Sequence, residues 1–166
     1  LPFEDQQEVS AALAKFPQQK FIQYAPQLKR EERDNISRRP TSLHDFKHDL
    51  CRAKGVICNS GFELISECLH MGIPALTKPV AGQSEQLGNA AALQQLGAAT
   101  VMYDFSASHI EKWLANIPPQ QACHYPDVAA AICDWLLSGE WHDSTKLVAE
   151  LWEQTGRPVE AIAATG

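Results

Sequence analysis

The sequence predicts a doubly wound α/β fold, in which helices flank a parallel sheet. Two short apolar runs, residues 56–58 and 75–80, are each followed by a polar turn and then by a segment with helical periodicity. Two consecutive strand–turn–helix units are typical of a parallel sheet. Such sheets bind ligands beyond the carboxyl ends of their strands, so the stretch 55–90 is the expected site.

Three elements are predicted near the start of the chain. A helical stripe of apolar residues, closed by Pro17, predicts a helix over residues 6–16. Short strands are predicted over residues 21–25 and 35–38. The highly charged residues 27–34 between them predict an exposed turn outside the core.

A short helix is predicted to lead into the strand at residue 56. Ser42, with Asp45 three residues later, resembles a helix start. Phe46, Leu50 and Ala53 mark the buried face of this helix, which gives the βαβ order that a doubly wound sheet needs.

Five further elements are predicted after the second apolar run. They are helices over residues 86–96 and 106–117, a strand over 99–103, a helix capped by Asp127, and a helix from Ser144 to Thr155 or beyond. The sequence has no internal repeat and no low-complexity linker. One domain over residues 1–166 is therefore predicted.

Composition excludes several classes of function. The net charge of −6 and the lack of a Lys/Arg stripe argue against nucleic acid as a partner. No apolar run approaches the length of a membrane span, and no signal peptide is apparent. The five cysteines have no CxxC spacing and fall mostly in apolar periodic segments. Reduced core thiols and a cytoplasmic location are the expectation.

The turn of Asn59, Ser60 and Gly61 opens the helix that begins at Phe62. Free N–H groups at a helix start carry the positive end of its dipole and suit a phosphate. Gly61 lets a ligand approach the backbone closely. An ordinary strand–helix turn has the same composition. Neither GxGxxG nor GxxxxGK[ST] is present, which argues against a dinucleotide fingerprint or a Walker loop.

Carboxylates and amides follow the two turns. Glu67 lies in an apolar setting where charges are unusual, and it could accept hydrogen bonds from two vicinal hydroxyls. Glu63, one turn earlier, is expected to be solvated. Polar groups that can bind sugar hydroxyls begin the next helix: Gln83, Glu85, Gln86 and Asn89. A capped helix start could have a similar composition.

Other reactive residues are assigned structural roles. His44, His48 and Cys51 share one helix face, but no clear fourth zinc ligand is nearby, so an ordinary helix face is favoured. The two histidines are expected to be solvated surface residues, not a catalytic base. Cys58 is expected to be a core thiol and not a nucleophile. No catalytic residue is assigned.

The spacing of these residues resembles the nucleotide-sugar-binding half of GT-B glycosyltransferases. The resemblance rests on residues 56–62, Glu67, Gly72, Pro74, Pro79, Glu85, Gln86, Asn89, Ala90, Leu96 and Gly97. The nearest relatives it suggests are family 28-like enzymes, which include the lipid II-forming glucosaminyltransferase. It is strongest over residues 43–100, and it implies a Rossmann-like domain that forms the C-terminal half of a GT-B fold.

The resemblance implies a role for each matching position. Glu67 would hold the donor ribose, Ser60 and Gly61 the diphosphate, and Glu85 with Gln86 the donor sugar. The implied donor site comprises Leu43, which would contact the nucleobase, together with Asn59, Ser60, Gly61, Phe62, Glu67, Gln83, Glu85, Gln86 and Asn89. Asn59 stands where relatives often have Arg or Gly, and Glu85 where the lipid II enzyme has Gln. The departure at Asn59 affects the expected phosphate contacts, and the departure at Glu85 affects the expected sugar preference.

The resemblance also implies an activity, namely transfer of a hexosyl group from a nucleotide-diphosphate sugar, most simply a UDP-sugar, to an acceptor hydroxyl. No metal or other cofactor is expected. The N-terminal domain of such enzymes binds the acceptor, and Leu1 is expected to follow the first strand of the C-terminal domain. The isolated domain is thus predicted to be inactive, and membrane contact is expected only through the absent half. The alternatives are a non-catalytic donor-binding subunit of a split transferase, a nucleotide-sugar epimerase on the same scaffold, and an α/β domain with a degenerate site.

Overall fold

The computed structural model describes residues 1–139 and 141–154 of the chain. Compact packing divides the chain into two units, Leu1–Ala122 and Cys123–Gly166. The first unit contains α1 (Gln6–Leu13), β1 (Phe21–Tyr24), β2 (Glu31–Arg33), β3 (Ile36–Arg39), α2 (Leu43–Leu50), β4 (Val56–Asn59), α3 (Phe62–Met71), β5 (Ala75–Lys78), α4 (Ser84–Gln95), β6 (Thr100–Val101) and α5 (Ala107–Ala115). The second contains α6 (Val128–Ser138) and α7 (Thr145–Gln154).

The predicted α/β fold is confirmed, and every predicted helix and strand has a counterpart. Strands β4, β5 and β6 form a parallel sheet in that order, with Asn59 opposite Lys78 at the carboxyl ends of β4 and β5. A helix follows each of these strands, as the apolar runs and polar turns predicted. The predicted extension of the last helix to Thr155 or beyond lies outside the described residues.

Strand β2 was not predicted, because its sequence is entirely charged. It pairs antiparallel with β3, and the guanidinium of Arg38 lies 3.2 Å from the carboxylate of Glu31 across the pair. Opposite charges facing each other across strands stabilise an exposed edge strand. Asp34, with a φ of 51°, makes the tight turn between them. The expectation of a turn over residues 27–34 is therefore wrong for the strand residues, although they are exposed as expected.

The six strands of the described residues form two three-stranded sheets, ordered β1–β3–β2 and β4–β5–β6. Strand β1 ends one sheet and β4 ends the other, and no ladder joins them in the part of the chain that is described. Both sheets nevertheless contribute to one hydrophobic cluster, in which Ile36 of β3 and Leu76 of β5 are buried together with Val9 of α1 and Trp113 of α5. This shared core fixes the first unit.

Most helix starts are capped by a side chain. Asp5, Ser42, Ser106 and Asp127 accept hydrogen bonds from backbone N–H groups in the first turns of α1, α2, α5 and α6. The caps at Ser42 and Asp127 agree with the sequence analysis. Helices α3 and α4 differ, because neither Gly61 nor Gln83 supplies a capping side-chain bond. Among the described residues, no helix has the length and apolar character needed to cross a bilayer.

Candidate functional site

The site lies where β4 and β5 end side by side. Asn59 and Lys78 are paired as the last residues of the two strands. Gly61 and Gln83 then precede α3 and α4, so both helix starts are at this edge of the sheet. The parallel register of β4 and β5 thus brings the two predicted polar turns together.

Ser60 and Asn89 join the two turns. The Ser60 side chain is fully buried, and its Oγ lies 2.9 Å from Thr77 Oγ1. Asn89 of α4 donates from Nδ2 to the Ser60 carbonyl oxygen at 3.0 Å. Ser60 and Asn89 therefore hold the backbone of the first turn against β5 and α4, and Ser60 offers no exposed hydroxyl to a ligand.

One polar atom of the Asn59 side chain is hydrogen-bonded and the other is not. Its Nδ2 donates to the Lys78 carbonyl oxygen at 3.1 Å, which fixes the orientation of the amide. Its Oδ1 is buried and has no hydrogen-bond partner among the described residues, and the residue is only 8% exposed. A buried unpaired acceptor is uncommon in proteins and calls for a donor. Because Oδ1 is closed to solvent, the Asn59 amide supports the first turn and is not itself open to a ligand.

The start of α3 is open to solvent. A Cβ placed on Gly61 would meet no atom within 4 Å, and Phe62 beside it is exposed. Since Gly61 makes no side-chain cap, the first N–H groups of this ten-residue helix have no side-chain partner from the capping position. An anion placed here would meet free donors and the positive end of the helix dipole.

The second turn is held by amide groups. Gln86 is buried, accepts from the Val80 N–H at 3.1 Å, and donates to Gln83 Oε1 at 2.8 Å. Glu85 is exposed and has no ion pair within residues 1–139 and 141–154. Gln86 and Gln83 thus shape the turn, which leaves Glu85 as the carboxylate available for a ligand.

Leu43 and Glu67 lie on the neighbouring helices α2 and α3. Glu67 Oε1 is 3.7 Å from Lys47 Nζ, and its side chain is 40% exposed. Leu43 is the first residue of α2 and is largely exposed, one helical turn before Lys47. The Lys47–Glu67 pair connects the two helices, and the Glu67 carboxylate keeps lone pairs free for hydroxyl donors.

Two site residues were missed in the sequence. Lys78 Nζ lies 2.7 Å from Glu4 Oε1, and both side chains are mostly buried. Lys78 is the single charge in the apolar run of β5, and that isolation was the signal that could have identified it. Because Glu4 neutralises Lys78, the positive potential at this edge comes chiefly from backbone N–H groups.

A polar cavity of about 450 Å³ lies beside this ion pair. Its walls include Glu4, Gln6 and Gln27 together with Arg38, whose Nε is buried without a partner among the described residues. This volume falls within the range of roughly 300–1,000 Å³ that small-molecule sites occupy. The walls of this cavity come from three separate segments of the chain, so no local sequence pattern predicts it.

Cys58, His44 and His48 are the other reactive residues that the sequence singled out, and they lie outside the two turns. Burial raises the pKa of Cys58 to about 11, so its thiol is protonated near neutral pH. His44 and His48 are exposed on α2 beside Asp45 and Asp49, at 3.5 and 3.6 Å. No cluster of three or more His, Cys, Asp or Glu side chains suited to a metal ion occurs in the described part of the chain.

A comparison with protein-family models matches residues 3–118 to glycosyl transferase family 1. The matched segment contains all six strands and helices α1 to α5, including both turns of the site. Comparisons with curated proteins and with solved structures gave no match. The matched range covers well over half of the chain, and its α/β architecture with a parallel sheet is that of a Rossmann-like half of a GT-B enzyme. The chain belongs to glycosyl transferase family 1.

Proposed function

We propose that this chain binds the nucleotide-diphosphate sugar, a UDP-sugar, from which a glycosyltransferase transfers a hexosyl group to an acceptor hydroxyl. The observation that carries the proposal is the pair of helices α3 and α4. Both begin at the carboxyl ends of adjacent parallel strands, and neither has a side-chain cap. Uncapped helix starts at this edge of a sheet are suited to a diphosphate.

In this proposal each exposed polar group takes a separate part of the donor. The Glu67 carboxylate accepts from the ribose hydroxyls, and the open start of α3 at Gly61 and Phe62 receives the diphosphate. Glu85, and the turn that Gln83 and Gln86 shape, contact the sugar. Leu43 supplies an apolar surface beside the nucleobase. Asn59, Ser60 and Asn89 position the backbone of the first turn.

The chemistry supported by this arrangement is stabilisation of the leaving group. As the acceptor oxygen attacks the anomeric carbon, negative charge develops on the departing nucleoside diphosphate. Fixed N–H donors aimed at that charge lower the barrier without reorganising during the reaction. Lys78 contributes little free charge, because Glu4 neutralises it at 2.7 Å. The acceptor and the catalytic base would come from a second, N-terminal domain, as in family 28-like enzymes, and the chain alone would then bind donor without transferring it.

The proposal can be tested by isothermal titration of the chain with UDP, UDP-glucose and UDP-N-acetylglucosamine. Glu67→Gln is expected to weaken UDP binding by about tenfold or more, since a hydrogen bond to a charged group is worth roughly 1.5–3 kcal/mol. Glu111→Gln, which changes an exposed carboxylate on α5, is the control and should leave the affinity unchanged. Absence of binding heat for every nucleotide, on folded protein, would contradict the proposal.

A further inference from the structure

Strands β1 and β4 each have one edge without a ladder partner in the described residues. Strand β1 pairs only with β3, and β4 pairs only with β5. The two strands nevertheless lie near each other, because Phe21 of β1 and Ile57 of β4 pack on the same buried cluster. Leu1 packs on that cluster as well. The open edges of β1 and β4 therefore border the same part of the first unit.

Backbone groups of both strands point into this space. The Phe21 N–H donates to the Asn35 carbonyl oxygen, beside β3, at 2.9 Å, so the N–H of the next residue, Ile22, points away from β3. The Val56 N–H donates towards β5 at 2.9 Å, so the N–H of Ile57 points away from β5. Backbone donors inside a fold need acceptors. A strand placed between β1 and β4 would supply acceptors to both.

Leu1 lies beside β4 and leads towards β1. Burial lowers the pKa of the Leu1 amino group, which is close to Cys58 of β4. A charged amino group is costly in such a place, whereas a hydrogen-bonded peptide group is tolerated. The Leu1 carbonyl oxygen accepts from Gln6 Nε2 of α1 at 2.9 Å, and Ser10 Oγ of α1 donates to Gln23 Oε1 of β1 at 2.7 Å. A strand entering Leu1 would therefore form a βαβ unit with α1 and β1.

We propose that the space between β1 and β4 binds one extended apolar strand, which leads into Leu1, runs parallel to β4 and joins the two sheets into one. Strands β1 and β4 have four residues each, so a segment of similar length would pair along both edges. A strand between two parallel neighbours is covered on both faces, which favours a run of Val, Ile and Leu. This inference does not depend on donor binding.

The test compares two versions of the 166-residue chain, extended before Leu1 by Lys-Val-Ile-Val-Val or by Lys-Val-Pro-Val-Pro. Proline has no N–H and is not accepted inside a sheet, so only the first extension can insert. Hydrogen exchange measured by NMR should be slower by about tenfold or more at the Ile22 and Ile57 amides of the first version. Phe21 and Val56, whose amides are already hydrogen-bonded, report any general gain in stability and should change less.

Nuclear Overhauser effects should also connect the backbone of the Val-rich extension to both Ile22 and Ile57, which distinguishes insertion from packing on an outer face. Equal exchange in the two versions, contacts from the extension to only one of the two strands, or failure of both versions to fold would overturn the proposal. So would protection that appears only at high protein concentration together with dimers in sedimentation velocity, because a second copy of the chain would then occupy the space.

Discussion

At the residue scale, Asn59 combines a structural bond with an unused acceptor. The Nδ2 bond to the Lys78 carbonyl joins the ends of β4 and β5, while Oδ1 stays buried and unpaired among the described residues. The same amide therefore fixes the floor of the site and leaves an acceptor closed off beneath it.

Asn59→Asp should destabilise the fold by about 1–3 kcal/mol at neutral pH, because a carboxylate oxygen would then face the Lys78 carbonyl in a buried position. Urea unfolding followed by circular dichroism measures the change. Asn116→Asp is the control, since Asn116 is exposed and makes no side-chain hydrogen bond within the described residues. Equal stability of the two variants would show that the hydrogen bond from Asn59 Nδ2 to the Lys78 carbonyl oxygen contributes nothing to the free energy of unfolding.

The cysteines provide a second prediction at this scale. Burial raises the pKa of Cys58 to about 11 and that of Cys68 to about 12, from an ordinary value of 9.0. Both thiols should resist alkylation near pH 8 in the folded chain, while exposed Cys51 and Cys133 react first. Mass spectrometry of iodoacetamide-treated protein distinguishes them. Early labelling of Cys68 in folded protein would contradict the buried assignment.

The same pKa shifts imply a loss of stability in alkali. Because each folded-state pKa lies above the unfolded value of 9.0, the folded state holds its thiol protons more tightly. This contribution is complete below about pH 9 and is lost as the pH rises through about 11 to 12. Replacing Cys58 and Cys68 by Ala should reduce the fall in the free energy of unfolding between about pH 9 and pH 12.

At the scale of elements, the sequence predicted the helices and strands well, because apolar periodicity and polar turns determine both. It failed at β2, where cross-strand charge pairs such as Glu31–Arg38 replace apolar burial. It predicted which turns come together, because parallel strands end at one edge. It could not predict the Glu4–Lys78 pair, whose partners are 74 positions apart and meet only through tertiary packing.

Gly72 ends α3 in the left-handed conformation, with a φ of 67°. A Cβ there would lie 3.0 Å from the Ala122 nitrogen and 3.1 Å from the Gln120 carbonyl oxygen. Gly72→Ala should therefore lower the free energy of unfolding by about 1–3 kcal/mol through left-handed backbone strain. The clash of the new methyl group with Ala122 and Gln120 should lower it further. Gly97→Ala is the matched control, because Gly97 has a φ of 61° but no atom within 4 Å of its Cβ position. Thermal unfolding should show Gly72→Ala as the less stable variant, and the reverse order would exclude the close contact.

At the scale of the whole molecule, the boundary near Ala122 lies in a segment without regular structure. Residues 117–127 contain no helix or strand, and the family match ends at residue 118. In the sequence this point is marked only by prolines, without the Gly- or Ser-rich composition of a linker. The single domain predicted over residues 1–166 remains a prediction. The two units are defined by tertiary contacts. Apolar periodicity in the sequence predicts helices and strands but not the contacts between them.

Brief digestion with proteinase K should cut first within residues 117–127 and leave a resistant fragment close to Leu1–Ala122. The reason is that a segment without regular structure fits a protease active site more readily than a helix or strand does. Mass spectrometry of the earliest products measures the cut. First cleavage between α1 and α5 would contradict the compactness of the first unit.

The exposed outer strand of the first sheet also affects how copies of the chain meet each other. Strand β2 lies at the end of its sheet, and all three of its residues are charged and exposed. An unprotected strand edge is a template for pairing with another polypeptide, and charged side chains on the edge oppose that pairing. The charges that conceal β2 from prediction in the sequence therefore also protect this edge from aggregation.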